Sequence, residues 1–173
     1  MTMRLFVGIR IPGEILDRIC AAARELEDPN LKVIPRENLH LTLAFLGEYD
    51  PGKAKDKLGK LKFEGGSLGF KGCGVFPGRD FARIVWIGVV GEGMKRNADA
   101  IMKEFGINEN RETTLHLTIA RVYGKTEKTE SFLEKYRETD FGSFRPESIC
   151  LYQSILRKPN PEYRMMDRFL LPA

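Results

Sequence analysis

Two hexapeptides 76 positions apart constrain this chain more than any other feature. Leu39-His40-Leu41-Thr42-Leu43-Ala44 and Leu115-His116-Leu117-Thr118-Ile119-Ala120 agree at five of six positions, and the sixth exchanges Leu for Ile. The only two histidines of the chain lie inside them. An internal repeat of this kind asks for two equivalent places in one fold. Side chains alternate across a strand, so His40, Thr42 and Ala44 are expected on one face and Leu39, Leu41 and Leu43 on the other. The leucine face can pack under helices. The opposite face offers an imidazole, a hydroxyl about 7 Å further along, and a methyl group small enough to admit a ligand. His116, Thr118 and Ala120 repeat that surface. A strand kept only for packing would use Val or Ile, because burying an imidazole and a hydroxyl without partners costs a few kcal/mol each. If the two strands sit in lobes related by an approximate two-fold, the imidazoles face each other across a groove.

The rest of the chain alternates strand and helix patterns. Arg4 to Ile11 reads as a strand, and Ile15, Ile19, Ala22 and Leu26 recur at helical spacing after Pro12. Lys32 to Ile34 reads as a short strand, Arg36 to Asn38 as a turn, and Leu39 to Leu46 as a strand closed by Gly47. Ala54, Leu58 and Leu61 share a helical face in a segment that Gly65-Gly66 is expected to end. Phe70 to Phe76 and Phe81 to Val90 read as a hairpin around Pro77-Gly78-Arg79-Asp80. Met94, Ala98, Ile101 and Phe105 mark another helix, Leu115 to Tyr123 a strand and Thr129 to Arg137 a short helix. Phe144 to Leu171 reads as two or three strands. Several strands lie a hairpin turn apart, which points to an α+β fold with antiparallel or mixed sheets rather than a Rossmann sheet.

Composition excludes several classes. At 173 residues, 42% hydrophobic and 30% charged, the chain suits one folded unit spanning residues 1–173, as one compact domain or two small lobes around a cleft. Its longest apolar runs fall well short of the roughly 20 residues of a membrane-spanning helix. Leu5 to Ile11 is interrupted by Arg10 and followed by Pro12 and Glu14, unlike a secretory signal, so a cytoplasmic protein without a membrane partner is expected. A net charge of +4 permits a polyanionic partner without demanding one. Cys20, Cys73 and Cys150 are too few and too dispersed for a disulfide framework, and read as buried thiols. Two histidines without an Asp, Glu or Cys companion at ligand spacing do not close a zinc shell, so no metal is expected. Gly124-Lys125-Thr126 echoes the end of a phosphate-binding loop, but Ile119 stands where that loop needs Gly. Lys53, Lys55, Lys57 and Lys60 read as a solvated helix face.

With both hexapeptides in view, the chain resembles the two-histidine phosphoesterases, and within them the RNA 2′,3′-cyclic phosphodiesterases, also called 2′-5′ RNA ligases. The resemblance runs nearly end to end, through Arg4 to Ile9, Asn38 to Gly47, Arg83 to Gly88, His116 to Arg121, Leu151 to Leu156 and Pro161 to Tyr163. It implies a bilobal α+β fold with pseudo-two-fold symmetry, two sheets flanking a central cleft and helices outside. It also implies hydrolysis of RNA 2′,3′-cyclic phosphate ends to 2′-phosphomonoesters, and reversible 2′-5′ ligation. No cofactor is implied. The partner would be RNA with a cyclic phosphate end, fragments of transfer RNA among them, and the expected state is a monomer.

Two imidazoles with ordinary pKa near 6.5 can divide acid and base work at neutral pH, and the hydroxyls of Thr42 and Thr118 can donate to non-bridging oxygens. The resemblance makes His40 the proton donor and His116 the base; the residues themselves leave that division open. Arg121 is a phosphate-binding candidate by resemblance, yet strict alternation from His116 turns it to the wrong face unless a bulge intervenes. Phe6 and Tyr152 could stack on a base or fill the core. Two alternatives stand beside this reading: a two-histidine phosphoesterase acting on a small cyclic nucleotide or ADP-ribose cyclic phosphate, and a non-catalytic RNA- or nucleotide-binding module.

Overall fold

A computed structural model describes residues 1–107 and 113–173. The elements run β1 (Met3–Ile9), α1 (Gly13–Ala23), β2 (Leu31–Val33), β3 (Leu41–Tyr49), α2 (Pro51–Lys60), β4 (Leu68–Phe76) and β5 (Ile84–Val90). They continue through α3 (Glu92–Phe105), β6 (His116–Val122), α4 (Glu127–Tyr136), β7 (Asp140–Phe144), β8 (Ser148–Ile155) and β9 (Glu162–Leu170). One sheet has the order β3-β1-β8-β9 and the other β2-β6-β5-β4-β7. Every ladder is antiparallel, so the mixed option does not occur among the described strands. Aligning β3-β1-β8-β9 with β6-β5-β4-β7 gives the approximate two-fold that the repeated hexapeptide implies, with β2 added outside β6. The motif strands β3 and β6 approach with Cα separations within 8 Å, so the two sheets meet beside them.

Local chemistry sets the helix limits. Asp50 caps α2 by accepting a hydrogen bond from the Lys53 amide at 2.9 Å, with Pro51 in the first turn. Gly106 ends α3 in the left-handed conformation at φ +65°, which suits a residue without Cβ. The helix α2 stops at Lys60, short of the expected Gly65. Buried Asn97 of α3 holds the backbone of Glu64 with both ends of its amide, accepting from Glu64 N and donating to Glu64 O at 2.8 Å each. Those bonds take Glu64 in an extended segment and end the helix early. The strand β3 in turn runs past Gly47 to Tyr49; Gly47, at φ +70°, absorbs an irregularity beside the unpaired Leu46. The first turn of the expected second hairpin strand is instead a 3-10 turn, Arg79–Phe81, so β5 begins at Ile84.

Packing locks the two sheets together. The helices α2 and α3 lie against β9 and β3 of the first sheet, whereas α1 and α4 lie against β7 and β4 of the second. Thus α1 leaves one sheet to cover the other, and α3 crosses in the reverse direction. The core runs continuously from Leu5, Val7 and Ile9 through Leu41 and Ile101 to Phe70, Ile87 and Leu117. Each such side chain contributes roughly 1.5–3 kcal/mol by leaving water. No helix among the described residues is long and apolar enough to cross a membrane. Of the four lysines of α2, Lys55 pairs with Asp167 at 2.9 Å and Lys57 donates to the Glu104 carbonyl at 2.9 Å.

Close approach at one glycine gives a direct check. Gly74 lies opposite Trp86 in the β4–β5 ladder, and a Cβ there would overlap three carbons of the Trp86 ring. Gly74→Ala is expected to lower stability by about 1–3 kcal/mol through overpacking. Trp86 is the only tryptophan, so urea unfolding followed by its fluorescence reads both effects. An unchanged spectrum and midpoint would show that the ring does not lie over Gly74.

Candidate active site

Each hexapeptide carries an extra residue in its ladder, and that residue decides which side chains reach the cleft. In the β1–β3 ladder Thr42 pairs with Gly8 and Ala44 with Val7, leaving Leu43 without a partner. In the β5–β6 ladder Thr118 pairs with Trp86 and Ala120 with Val85, leaving Ile119 without one. The two bulges occupy the same place in the repeat. At a bulge two successive side chains turn to one side. Leu43 and Ala44 are accordingly both buried, as are Ile119 and Ala120. Ala44 and Ala120 therefore belong to the core, and the expectation that they line the cleft with the histidines is corrected.

The same shift restores the next residue to the cleft face. Arg121 pairs with Ile84, on the face that holds Thr118 and Trp86, and its side chain is exposed. Alternation alone had turned it away; the bulge supplies what was missing. Phe45 holds the corresponding place in the first hexapeptide, pairs with Phe6, and is 69% exposed. Phe45 was not singled out from the sequence. The signal lay in its spacing, since it follows His40 by the interval at which Arg121 follows His116.

His40 stands just ahead of β3 and His116 opens β6. His40 Nδ1 lies 2.8 Å from the Asn38 carbonyl oxygen, and His116 Nδ1 lies 3.1 Å from that of Thr114. A carbonyl oxygen only accepts, so in both rings Nδ1 carries the hydrogen and donates. Nε2 is then the nitrogen left for chemistry in both neutral rings. Thr42 Oγ1 lies 3.0 Å from His40 Nε2 and donates to it in that tautomer. Gly8 makes room for this arrangement, because a Cβ there would stand 2.8 Å from Leu41 O and 3.4 Å from His40 Cδ2.

The two rings differ in enclosure. His40 stacks on Phe6 with centroids 4.7 Å apart and meets the edge of Tyr163 at 4.8 Å. Phe6 and Tyr152 stack on each other at 5.0 Å, both buried, in a small cluster with Cys150. Of the two options open for Phe6 and Tyr152, the core one holds: their faces are occupied by each other and by His40. Burial pulls the His40 pKa below the ordinary value of 6.5, against the opposing hydrogen bond to Asn38. Burial also raises the Tyr152 phenol, which stays protonated. Among the described residues His116 meets one ring, the edge of Phe76, at 5.2 Å.

Neighbouring loops brace the first ring. Asn38, itself buried, donates from Nδ2 to the Pro161 carbonyl at 2.7 Å, while Lys32 Nζ donates to that of Pro159 at 2.6 Å. The β8–β9 connection is thereby tied to both sheets, two residues before Tyr163. Sequence reasoning passed over Asn38 as a turn residue. The cysteines are free: Cys150 is buried, Cys20 and Cys73 are half-buried, and burial pushes the Cys73 thiol up to about 11. Among the described residues no group of three or more His, Cys, Asp and Glu side chains could hold a metal ion.

Known proteins share this architecture. The family model described as LigT like Phosphoesterase matches residues 9–86. An RNA 2′,3′-cyclic phosphodiesterase of Methanocaldococcus jannaschii is 34% identical, over 96% of this chain and 100% of its own. That of Archaeoglobus fulgidus is 33% identical, over 96% and 99%. Among solved structures, E. coli LigT complexed with 3′-AMP superimposes with a TM-score of 0.82 at 24% identity, covering 100% of both chains. A protein of Thermus thermophilus gives 0.81 at 24% identity, covering 98% of both. The structural likenesses establish a common fold, and the archaeal identities, over nearly whole chains, place this protein in the LigT-like phosphoesterase family.

Proposed function

We propose that the protein hydrolyses the 2′,3′-cyclic phosphate at an RNA end to a 2′-phosphomonoester, with His40 and His116 as paired acid and base and no metal. The observation that carries this reading is the shared tautomer. Two imidazoles from opposite sheets each have Nδ1 held by the carbonyl two residues upstream, leaving Nε2 of each ring for proton transfer. The names of the archaeal relatives supply the substrate class.

In the proposed cycle His116 Nε2 takes a proton from water as its oxygen attacks phosphorus. The bond from phosphorus to the 3′ oxygen breaks, and that oxygen leaves with the proton of His40 Nε2. The phosphate stays on the 2′ oxygen, and solvent exchange restores both rings. A 5′-hydroxyl in place of water would give a 2′-5′ linkage by the same steps. Burial disfavours the charged form of free His40, and the negative charge of a bound substrate favours the imidazolium. Once Nε2 carries hydrogen, Thr42 Oγ1 turns its own hydrogen away from that nitrogen toward a non-bridging oxygen, and the Nε2 hydrogen faces the 3′ oxygen. Thr118 serves the opposite side. Arg121 supports the phosphate or its neighbour, and the exposed ring of Phe45 offers the terminal base a stacking face.

Incubation in EDTA with RNA ending in a 2′,3′-cyclic phosphate, and separately with small cyclic nucleotides, tests the proposal. Turnover of the RNA is expected, and His40→Ala and His116→Ala should each lower the rate by about 100-fold or more. Near-normal activity in either variant would remove the two-histidine mechanism; turnover of the small compounds alone would favour the other phosphoesterase. No turnover of either would leave a binding module.

The His40 ring should titrate below 6.5 in the free protein when followed by NMR of its ring protons. The sign extends to stability. Between the folded and unfolded pKa values the unfolded chain binds more protons at this site, so its contribution to stability rises with pH and is complete above about 6.5. A His40 that titrates above 6.5 would contradict the enclosure by Phe6 and Tyr163.

A further inference from the structure

We propose that the surface beyond Arg121 binds the single-stranded RNA leading away from the cyclic end, making an oligonucleotide and not a lone cyclic nucleotide the preferred substrate. This rests on the phosphodiesterase reading above and adds a second binding region to it.

Register leads from the histidines to that region. Lys32 of β2, Arg121 of β6, Ile84 of β5 and Phe76 of β4 form one row across the second sheet, on the cleft face. Phe76 touches His116 at one end of this path. Past Arg121 and Ile84, where β5 begins and β6 ends, an open depression of about 1160 Å³ continues, bordered by Phe81, Arg83, Tyr123 and Lys125. It exceeds the roughly 300–1,000 Å³ of a pocket for one small ligand, so it has room for more than a single nucleotide.

Its chemistry suits a nucleic acid strand. Phe81 and Tyr123 are 63% and 70% exposed, large apolar rings left in water. The Arg83 guanidinium lies over the Phe81 ring at 5.1 Å, joining a cation to a stacking face. Arg83, Arg121 and Lys125 make no ion pair among the described residues, whereas Arg79 at the rim is neutralised by Glu130 at 2.9 Å. Asp80 and Glu127 also border the depression, so it is not uniformly basic. Cations interleaved with free aromatic rings match a single strand, whose phosphates take the charges and whose bases take the rings in any sequence.

The test compares adenosine 2′,3′-cyclic phosphate with a tetraribonucleotide ending in the same group, on wild type and on the double variant Arg83→Ala, Tyr123→Ala. Both residues are exposed and neither is placed in the phosphate machinery. The variant should raise KM for the tetranucleotide by about tenfold or more and leave its kcat unchanged, with the mononucleotide unaffected in both constants. Equal losses on both substrates, or no loss on either, would overturn the inference while turnover of the tetranucleotide still upheld the proposed reaction. Fluorescence anisotropy with a labelled single-stranded RNA reads the surface apart from catalysis. Binding weakened by the double variant, with no turnover of any substrate, would keep the surface and sink the reaction; equal binding by both proteins would overturn the surface.

Discussion

One unpaired residue in each of two ladders governs what the cleft can contain. Leu43 and Ile119 interrupt the alternation of β3 and β6 at the same step, so the residues before the bulge and the residue two places after it share the open face. Without that step Arg121 and Phe45 would point into the core and Ala44 and Ala120 into the cleft. Burial of a guanidinium without a partner is prohibitive, so the bulge is tied to the arginine as much as to the histidines. The interlocked helices then keep the two bulged strands in fixed relation, since α1 and α3 each span from one sheet to the other.

The histidine pair is symmetric in tautomer and asymmetric in surroundings. The carbonyls of Asn38 and Thr114 stand in equivalent places and impose the same protonated nitrogen. Around that shared arrangement the first sheet builds a wall of Phe6, Tyr152 and Tyr163, and among the described residues the second offers His116 the edge of Phe76. That packing disfavours the charged form of the His40 ring.

The pattern of the hexapeptides made much of this readable from the chain. Repetition of His40-Leu41-Thr42 at His116 pointed to two equivalent strands, and hairpin spacing pointed to antiparallel sheets in an α+β fold. The bulges were not readable, because Leu43-Ala44 and Ile119-Ala120 are apolar pairs that satisfy either an alternating strand or one with two successive core residues. That ambiguity misplaced the alanines and left Phe45 unnoticed. The early end of α2 was hidden for a different reason: it depends on Asn97, more than thirty residues away, bonding the backbone of Glu64. Long-range polar contacts of that kind leave no periodic trace.

The claim beneath this account is that both hexapeptides act on one phosphorus atom. A crystal structure with adenosine 2′-phosphate, the product of the proposed reaction, tests it most directly. The account predicts one phosphate between the strands, with Nε2 of His40 and Nε2 of His116 each within about 3.2 Å of its oxygens. A phosphate held by one hexapeptide, with the other histidine out of reach, would contradict it.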